Sequence, residues 1–302
     1  MSPAVSPALY KEVAKAVIPA AGWGTRLLPA TKVVPKVLTT VVDRPVIQWA
    51  VEESAAAGID DVCLVVSPAM PSVAGHFAPA SELESLLETK GRNAELSALR
   101  AVESLARITE VVQEQAQGLG HAVLQAADFV GEDPFAVLLP DVVIDPRASL
   151  ISRLAEVHAT TGGCVLALFR VPREEVSSYG VAAVDGLPNA RGVVAISALV
   201  EKPTAEEAPS DLTVAGRYLL TPLVIDALRS TPPTAGGEIQ LTDAIQAVLA
   251  AGHPVHGVIF EESLYDTGTV VGLIEANVSL GLADDRFGPA IRQMLGRRGV
   301  GE

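Results

Sequence analysis

With 302 residues, 49% of them hydrophobic and 19% charged, the chain has the composition of a folded globular protein rather than a disordered one. A formal net charge of −14 argues against a nucleic-acid partner, because phosphate backbones reward a basic surface. No run approaches about eighteen apolar residues, and the opening MSPAVSPALYKEVAK lacks a basic segment followed by a long apolar one. Neither a membrane span nor a secretion signal is therefore expected, and the cytoplasm is the expected compartment.

In chain order, the apolar run at 16–21 predicts the first strand. DRPVIQWAVEESAAAG predicts a helix that Asp43 caps, Pro45 suits in its first turn and Gly58 ends. DVCLVVS (61–67) predicts a strand buried on both faces, and 80–104 a charged helical hairpin on the surface. ARITEVVQ (106–113) predicts a strand, GLGHAVLQAA the helix after it, and FAVLLPD (135–141) a buried strand that ends in a carboxylate. RASLISRLAEVHATTGG predicts a helix stopped by glycine, and CVLALFRV (164–171) another strand. From 180 to 220 strands dominate, in VVAISALVEKP and LTVAGRYLL. Helices at 221–230 and 238–251, the second ended by Gly252, a strand at 255–260 and a helix near 270–283 complete the pattern. The alternation is that of an α/β sheet, without an internal repeat, a low-complexity segment or a linker. Cys63 and Cys164 fall inside apolar strands and are expected as buried thiols rather than as a disulfide or metal site.

Several segments carry chemistry. In AVIPAAGWGTRLLPATKVVPK, a strand runs into Gly22 and Gly24, followed by Arg26, Lys32 and Lys36. Glycines at a strand end let backbone N–H groups approach an anion closely, and the basic side chains bring positive charge to the same place. The spacing is neither G-x-x-x-x-G-K-[ST] nor G-x-G-x-x-G, so the two commonest phosphate loops are excluded; a solvated basic face is the competing explanation. Gln113 lies where a strand gives way to a helix, five residues before Gly118, and its amide can match a uracil edge or simply cap a turn. Asp141 and Asp266 each follow a strand; together they suit an octahedral Mg²⁺, and singly each reads as a turn or cap residue. Asp145 and Asp185 are better explained as helix-cap or turn residues. Glu201 and Lys202 in VEKP can bind a sugar hydroxyl and a phosphate, or form an exposed ion pair. Successive strand residues face opposite ways, so serving one ligand requires the strand to end there, as Pro203 suggests. His121, beside glycines at a helix start, has no Ser-His-Asp or zinc context and is expected to be structural or to face phosphate. Glu238 and Asp243 can order a pocket or cap a solvated helix.

Taken in order, G-W-G-T-R, P-K, G-L-G-H-A, Asp141, S-Y-G-V, V-E-K-P, A-G-R-Y, E-I-Q-L-T-D-A-I and Y-D-T-G closely resemble the sugar-1-phosphate nucleotidylyltransferases, and among them the bacterial UTP–glucose-1-phosphate uridylyltransferase branch. The resemblance runs from Ala16 to about residue 283. It implies a Rossmann-like mixed, mostly parallel sheet flanked by helices, in a single domain over 1–302. Its nucleotide-binding half would cover about 14–145 and its sugar-phosphate half about 146–302. It implies nucleotidyl transfer from UTP to glucose 1-phosphate, with UDP-glucose and pyrophosphate as products. Arg26 and Lys36 are implied as catalytic, and Ala20, Ala21, Gly22, Gly24, Thr25, Gln113, Gly118 and Asp141 as nucleotide-binding. Gly180, Glu201 and Lys202 are implied for the sugar phosphate, Mg²⁺ on Asp141 and Asp266, and a homo-oligomer (dimer or tetramer) for the assembly. Departures from the family pattern are Val37 for an acidic residue after Lys36, Thr40 for proline, and Thr269 for asparagine in D-x-G-N. They keep open a sibling enzyme acting on another sugar or cyclitol 1-phosphate with GTP or dTTP, and, more distantly, a non-catalytic nucleotide-sugar-binding protein.

Overall fold

The structure, a computed structural model, describes residues 10–70 and 72–297; most of MSPAVSPALYKEVAK's first ten residues and the last five of the chain lie outside them. Strand β1 (Lys15–Pro19) leads through short 3₁₀ turns to a two-residue hairpin, β2 (Thr40–Val41) and β3 (Arg44–Pro45), and then to helix α1 (Val46–Ala56). β4 (Asp61–Val66) is followed by α2 (Ser81–Thr89) and α3 (Asn93–Glu103), β5 (Arg107–Val112), α4 (Gly118–Gln125) and α5 (Ala127–Val130). β6 (Phe135–Leu138) and β7 (Val142–Ile144) precede α6 (Leu150–Thr161), β8 (Cys164–Arg170), β9 (Gly180–Asp185), β10 (Val193–Glu201) and β11 (Leu212–Leu220). The chain then forms α7 (Leu223–Ser230), α8 (Leu241–Ala250), β12 (Val255–Ile259), β13 (Leu264–Asp266), α9 (Val270–Ala283) and α10 (Gly288–Arg297).

Nine strands form one sheet in the order β5-β4-β1-β6-β11-β8-β12-β10-β9, and two-stranded pairs β13-β7 and β2-β3 lie apart from it. β5, β4, β1 and β6 are parallel, as are β8 and β12; β11 and β10 run the other way. The mixed α/β sheet expected from the alternation is present. Its strands are buried where the run is continuously apolar, as in DVCLVV, and β5 sits at the edge, with Arg107 and Glu110 exposed to solvent. Alternation divides the core: Val17 and Cys63 face α4, α7 and α8, whereas Ala16, Ile18, Val62 and Leu64 face α1 and α6. Both cysteines are free and buried, as expected, and burial pushes the Cys63 thiol up to about 12, with Asp61 adding to it.

Helices end at Gly58, Gly162 and Gly252, each with positive φ, as expected. Asp43 does not cap α1. The helix starts at Val46 with Pro45 at the capping position, and the Asp43 carboxylate instead pairs with Arg44 (3.2 Å) and Arg286 (2.8 Å). Asp145 does cap, accepting from the Arg147 amide at 2.9 Å. The tight pairs β2-β3 and β7-β13 and the helix α10 were not expected. Among the described residues no helix is long and apolar enough to cross a membrane.

Candidate active site

The parallel strands bring their carboxyl ends to one edge, where ligands of open α/β sheets collect. In sheet order this edge carries Gln113 after β5, the glycine turn after β1 and Asp141 just past β6. The second half of the chain reaches the same edge. Thr213 of β11 pairs both with Phe169 near the end of β8 and with Val181 at the start of β9, so β9 begins where β8 ends.

The turn after β1 is held by the Ala20 amide, which donates to Val65 O at 2.7 Å, and by buried Thr31, whose hydroxyl donates to Gly24 O at 2.8 Å. Gly24 sits at φ +63°, and a Cβ there would meet the Lys36 Cβ at 2.8 Å. Only glycine fits, on both counts. At Gly22 a Cβ would lie 3.6 Å from Lys36 Nζ, so the ammonium rests beside the bare backbone of the turn. Thr25 and Arg26 follow on a short 3₁₀ turn, Thr25–Leu27, exposed to solvent, and Lys32 is exposed as well.

Four charged side chains then converge. Lys36 Nζ donates to Asp141 Oδ2 at 2.6 Å, with both side chains about one-fifth exposed (19% and 21%). Arg26 Nη1 stands 3.3 Å from Asp266 Oδ2, and Asp266 Oδ1 accepts from the Gly268 amide at 2.9 Å. A Cβ at Gly268 would fall 2.6 Å from the Arg26 guanidinium, 2.9 Å from Asp266 Oδ1 and 3.1 Å from Asp141 Oδ2. Arg26, Asp141 and Asp266 therefore surround one small gap that the missing side chain leaves. Burial works to raise the Asp141 pKa, but the Lys36 ammonium, aided by Arg26, outweighs it and holds the carboxyl below its usual range.

The turn that bears Asp141 is anchored from behind. β11 slips register between Val214 and Tyr218, a bulge that aims Arg217 across the sheet. Arg217, 1% exposed, donates at 2.8 Å to both Leu139 O and Val142 O, which bracket Asp141, and its Nε donates to Glu53 of α1 at 2.9 Å. A planar guanidinium is suited to such a fork of acceptors.

A second group lies at the junction of β9 and β10, where the register sets Glu201 opposite Gly180. Thr242, in the first turn of α8, donates its hydroxyl to Glu201 Oε2 at 2.7 Å. A Cβ on Gly180 would crowd that contact, at 3.1 Å from Thr242 Oγ1 and 3.2 Å from Glu201 Oε2. Lys202 has φ +45°, which ends the strand and turns the backbone, bringing its Nζ to 3.8 Å from Glu201 Oε1. That local twist is how two successive residues come to share one side. Tyr179 links the two groups: burial and the nearby Asp266 carboxylate both push its phenol pKa up, and its carbonyl accepts from the Lys202 amide at 3.0 Å.

Gln113 is buried, and its amide meets Gly118 O at 3.3 Å and His121 Nδ1 at 2.9 Å. Gly118 opens α4 as expected. Glu238 accepts from the Gln240 amide at 3.0 Å and lies beside Gly118, where an added Cβ would meet the Glu238 Cβ at 2.9 Å. Thr242, Arg217 and Thr31 were missed. Thr242 stands in the E-I-Q-L-T-D-A-I run that carries the resemblance, beside Asp243, so the run marked the place but not the residue.

A mixed α/β sheet with a glycine turn and clustered acid–base pairs at its carboxyl edge defines a protein that handles phosphorylated nucleotides. The sequence profile of the nucleotidyl transferase family matches residues 15–281, and the chain belongs to that family. It is 44% identical over 265 residues to a UTP–glucose-1-phosphate uridylyltransferase of Komagataeibacter xylinus, covering 87% of this chain and 92% of that one. Its fold is similar to that of a UTP-bound UGPase from Acinetobacter baumannii, with a TM-score of 0.86, 38% identity and coverage of 94% and 98%. It is also similar to a UDP-glucose pyrophosphorylase complexed with UDP-glucose, with a TM-score of 0.79, 35% identity and coverage of 90% and 100%.

Proposed function

We propose that this protein transfers a uridylyl group from UTP to glucose 1-phosphate, giving UDP-glucose and pyrophosphate. The observation that carries the reading is the convergence of Arg26, Asp141 and Asp266 around Gly268, with Lys36 paired to Asp141, at the edge that also holds Glu201 and Lys202. The likeness to the uridylyltransferase of Komagataeibacter xylinus and to the UTP-bound UGPase supports the choice of substrates.

In this reaction an oxygen of the sugar phosphate attacks the α-phosphorus in line, the bond from that phosphorus to the bridging oxygen breaks, and pyrophosphate departs. Such chemistry needs positioning and charge neutralisation more than covalent help. Ala20, Ala21, Gly22, Gly24 and Thr25 offer backbone donors to the triphosphate. Lys36, resting beside Gly22, turns to the α-phosphate, and Arg26 takes the β- and γ-phosphates. Gln113 and Gly118 receive the base. Glu201, oriented by Thr242, accepts a sugar hydroxyl; Gly180 lines the sugar, and Lys202 holds its phosphate.

Asp141 and Asp266 are the residues that would hold Mg²⁺. An ion that takes all-oxygen ligands and keeps several waters needs only one or two carboxylates, and the gap at Gly268 is bordered by one oxygen from each. Among the described residues no cluster of three or more such ligands exists, so the remaining positions fall to water and substrate phosphates. When bound, the ion supplies charge neutralisation between two polyanions that an acidic protein could not otherwise bring together.

The two halves are proposed to act as one domain, with the nucleotide bound by about 14–145 and the sugar phosphate by about 146–302. A cytoplasmic setting fits two free buried thiols. A homo-oligomer is supported by the exposed apolar side chains Val271, Ile274 and Val278 along one face of α9.

Pyrophosphate release from a matrix of nucleoside triphosphates and sugar 1-phosphates tests the reading. UTP with glucose 1-phosphate is expected to be fastest. A faster alternative pair would reassign the substrates, and no release from any pair would leave a nucleotide-sugar-binding protein.

A further inference from the structure

Asp141 and Asp266 are tied to each other through the backbone. β7 and β13 pair antiparallel with Asp266 opposite Val142, and the next step along the pair brings Thr267 to Asp141. Thr267 is 2% exposed. Its amide N–H donates to Asp141 O at 2.8 Å, sharing the hydrogen with Tyr265 O at 3.1 Å, and its hydroxyl donates to the same Asp141 oxygen at 2.9 Å. A carbonyl oxygen can only accept, so the direction of the hydroxyl bond is fixed, and two donors engage both lone pairs of Asp141 O. Immediately after Thr267, the Gly268 amide holds Asp266 Oδ1 at 2.9 Å, and the Thr269 hydroxyl and amide hold Asp266 O at 3.1 and 3.3 Å. Arg217, which bonds Glu53, Leu139, Gly216 and Val142, anchors the Asp141 turn to the sheet. Thr267 anchors it to the turn of Asp266.

We propose that Thr267 is the positioning residue that fixes the spacing of the Asp141 and Asp266 carboxylates, and through it the preference of the site for Mg²⁺ over larger divalent cations. Mg²⁺ takes oxygen ligands at about 2.0–2.1 Å and demands near-ideal octahedral geometry, whereas Ca²⁺ accepts about 2.3–2.6 Å and irregular arrangements. Two carboxylates free to drift apart lose the smaller, stricter ion first. The oxygens that border the Gly268 gap, Asp266 Oδ1 and Asp141 Oδ2, lie 2.9 and 3.1 Å from one common point, the place of the missing Cβ. Lys36 and Arg26 grip the same carboxylates, but through long side chains that the substrate phosphates draw away. Thr267 bonds only main-chain oxygen, so its tie persists when ligand is bound. The inference rests on the reading of Asp141 and Asp266 as the Mg²⁺ ligands.

The experiment measures ion binding without turnover. Mn²⁺ bound to the protein with UDP-glucose saturating is followed by its electron paramagnetic resonance signal, and its displacement by Mg²⁺ or Ca²⁺ gives their relative affinities. Wild type is compared with Thr267→Val, which keeps the branched shape and loses the hydroxyl, Thr267→Ser, which keeps the hydroxyl, and Asp141→Asn. Thr267→Val is expected to weaken Mg²⁺ about five- to tenfold, the scale of one hydrogen bond, and Ca²⁺ by no more than about twofold, so the Mg²⁺/Ca²⁺ affinity ratio falls. Thr267→Ser should keep the wild-type ratio, and Asp141→Asn should weaken Mn²⁺ itself. If Asp141→Asn does weaken Mn²⁺, an unchanged ratio in Thr267→Val, or an equal fall in the serine and valine variants, overturns the role of Thr267 and leaves the metal site standing. No Mn²⁺ bound by wild type, or undiminished binding by Asp141→Asn, overturns the metal site instead. Should Thr267→Val fail to fold, Thr267→Ala also lacks the hydroxyl; the same fall in ratio supports the proposal, and an unchanged ratio overturns it.

Discussion

The two ends of the cleft handle charge differently. At the glycine turn, cation and anion already hold each other: Lys36 is 2.6 Å from Asp141 and Arg26 3.3 Å from Asp266. At the junction of β9 and β10, the Glu201 carboxylate is held by a neutral hydroxyl, Thr242 at 2.7 Å, while Lys202 stands off at 3.8 Å with its side chain 54% exposed. The first end is neutral within itself, so ligands bind there by exchanging partners. The second is a fixed shape with one cation turned to solvent. Self-neutralised charge costs little to keep in the free protein yet becomes available wherever negative charge builds up in the transition state. A preset hydrogen-bonded carboxylate mainly fixes orientation.

Substitutions that strip one partner from the self-neutralised end should have the largest effect. Asp141→Asn removes the charge opposite Lys36 and one of the two carboxylates proposed for Mg²⁺. A loss of about a thousandfold or more in kcat is expected, of the order of the several kcal/mol that such a cation supplies. Asp266→Asn should also be severe, and the double variant less than additive, because the two serve one ion. Magnesium titration of pyrophosphate release, with circular dichroism to verify folding, measures this; full activity in EDTA would remove the shared site. Next comes Lys36→Ala, expected to lower kcat about a hundredfold while weakening UTP binding far less. Equal losses in kcat and in UTP affinity would show that Lys36 holds nucleotide uniformly, and the contrast between the ends would collapse.

The other end should respond in KM instead. Lys202→Ala is expected to raise KM for the sugar phosphate roughly tenfold to a hundredfold, the scale of one charge-assisted hydrogen bond, and to leave UTP affinity nearly unchanged. Thr242→Val should have the smallest effect, about five- to tenfold on the same KM, since it removes a neutral donor from Glu201. If Thr242→Val instead lowers kcat as much as Lys36→Ala does, Glu201 belongs to the chemistry rather than to orientation.

Much of this was legible in the residues, for physical reasons. Continuous apolar runs such as VCLVV announce buried strands, and the glycine turn at Gly22 and Gly24, Asp141 and Asp266 stand at or just past strand ends, where an α/β sheet exposes its ligands, while Lys36 opens a later 3₁₀ turn. The short pair Val142–Ile144 with Leu264–Asp266 escaped because three residues carry no usable periodicity. Thr242 and Arg217 were missed as positioning residues because their value lies in partners far along the chain. Glu53 is 164 positions from Arg217, and nothing near either residue announces the other. Asp43 misled for the opposite reason. Its local pattern was that of a cap, and the distant Arg286 claimed it.

The place of β11 has a bearing on how the protein is made. It lies between β6 and β8, yet it leaves the ribosome roughly 70 residues after β6 does. At about 5–20 residues per second, the open edge of β6 waits several seconds for its neighbour. An unpaired apolar strand edge is a template for unwanted pairing. Until Leu220 has emerged, neither the sheet nor the Arg217 fork behind Asp141 can close, so a nascent chain stalled before that point should be aggregation-prone and unable to protect its early strands from hydrogen exchange.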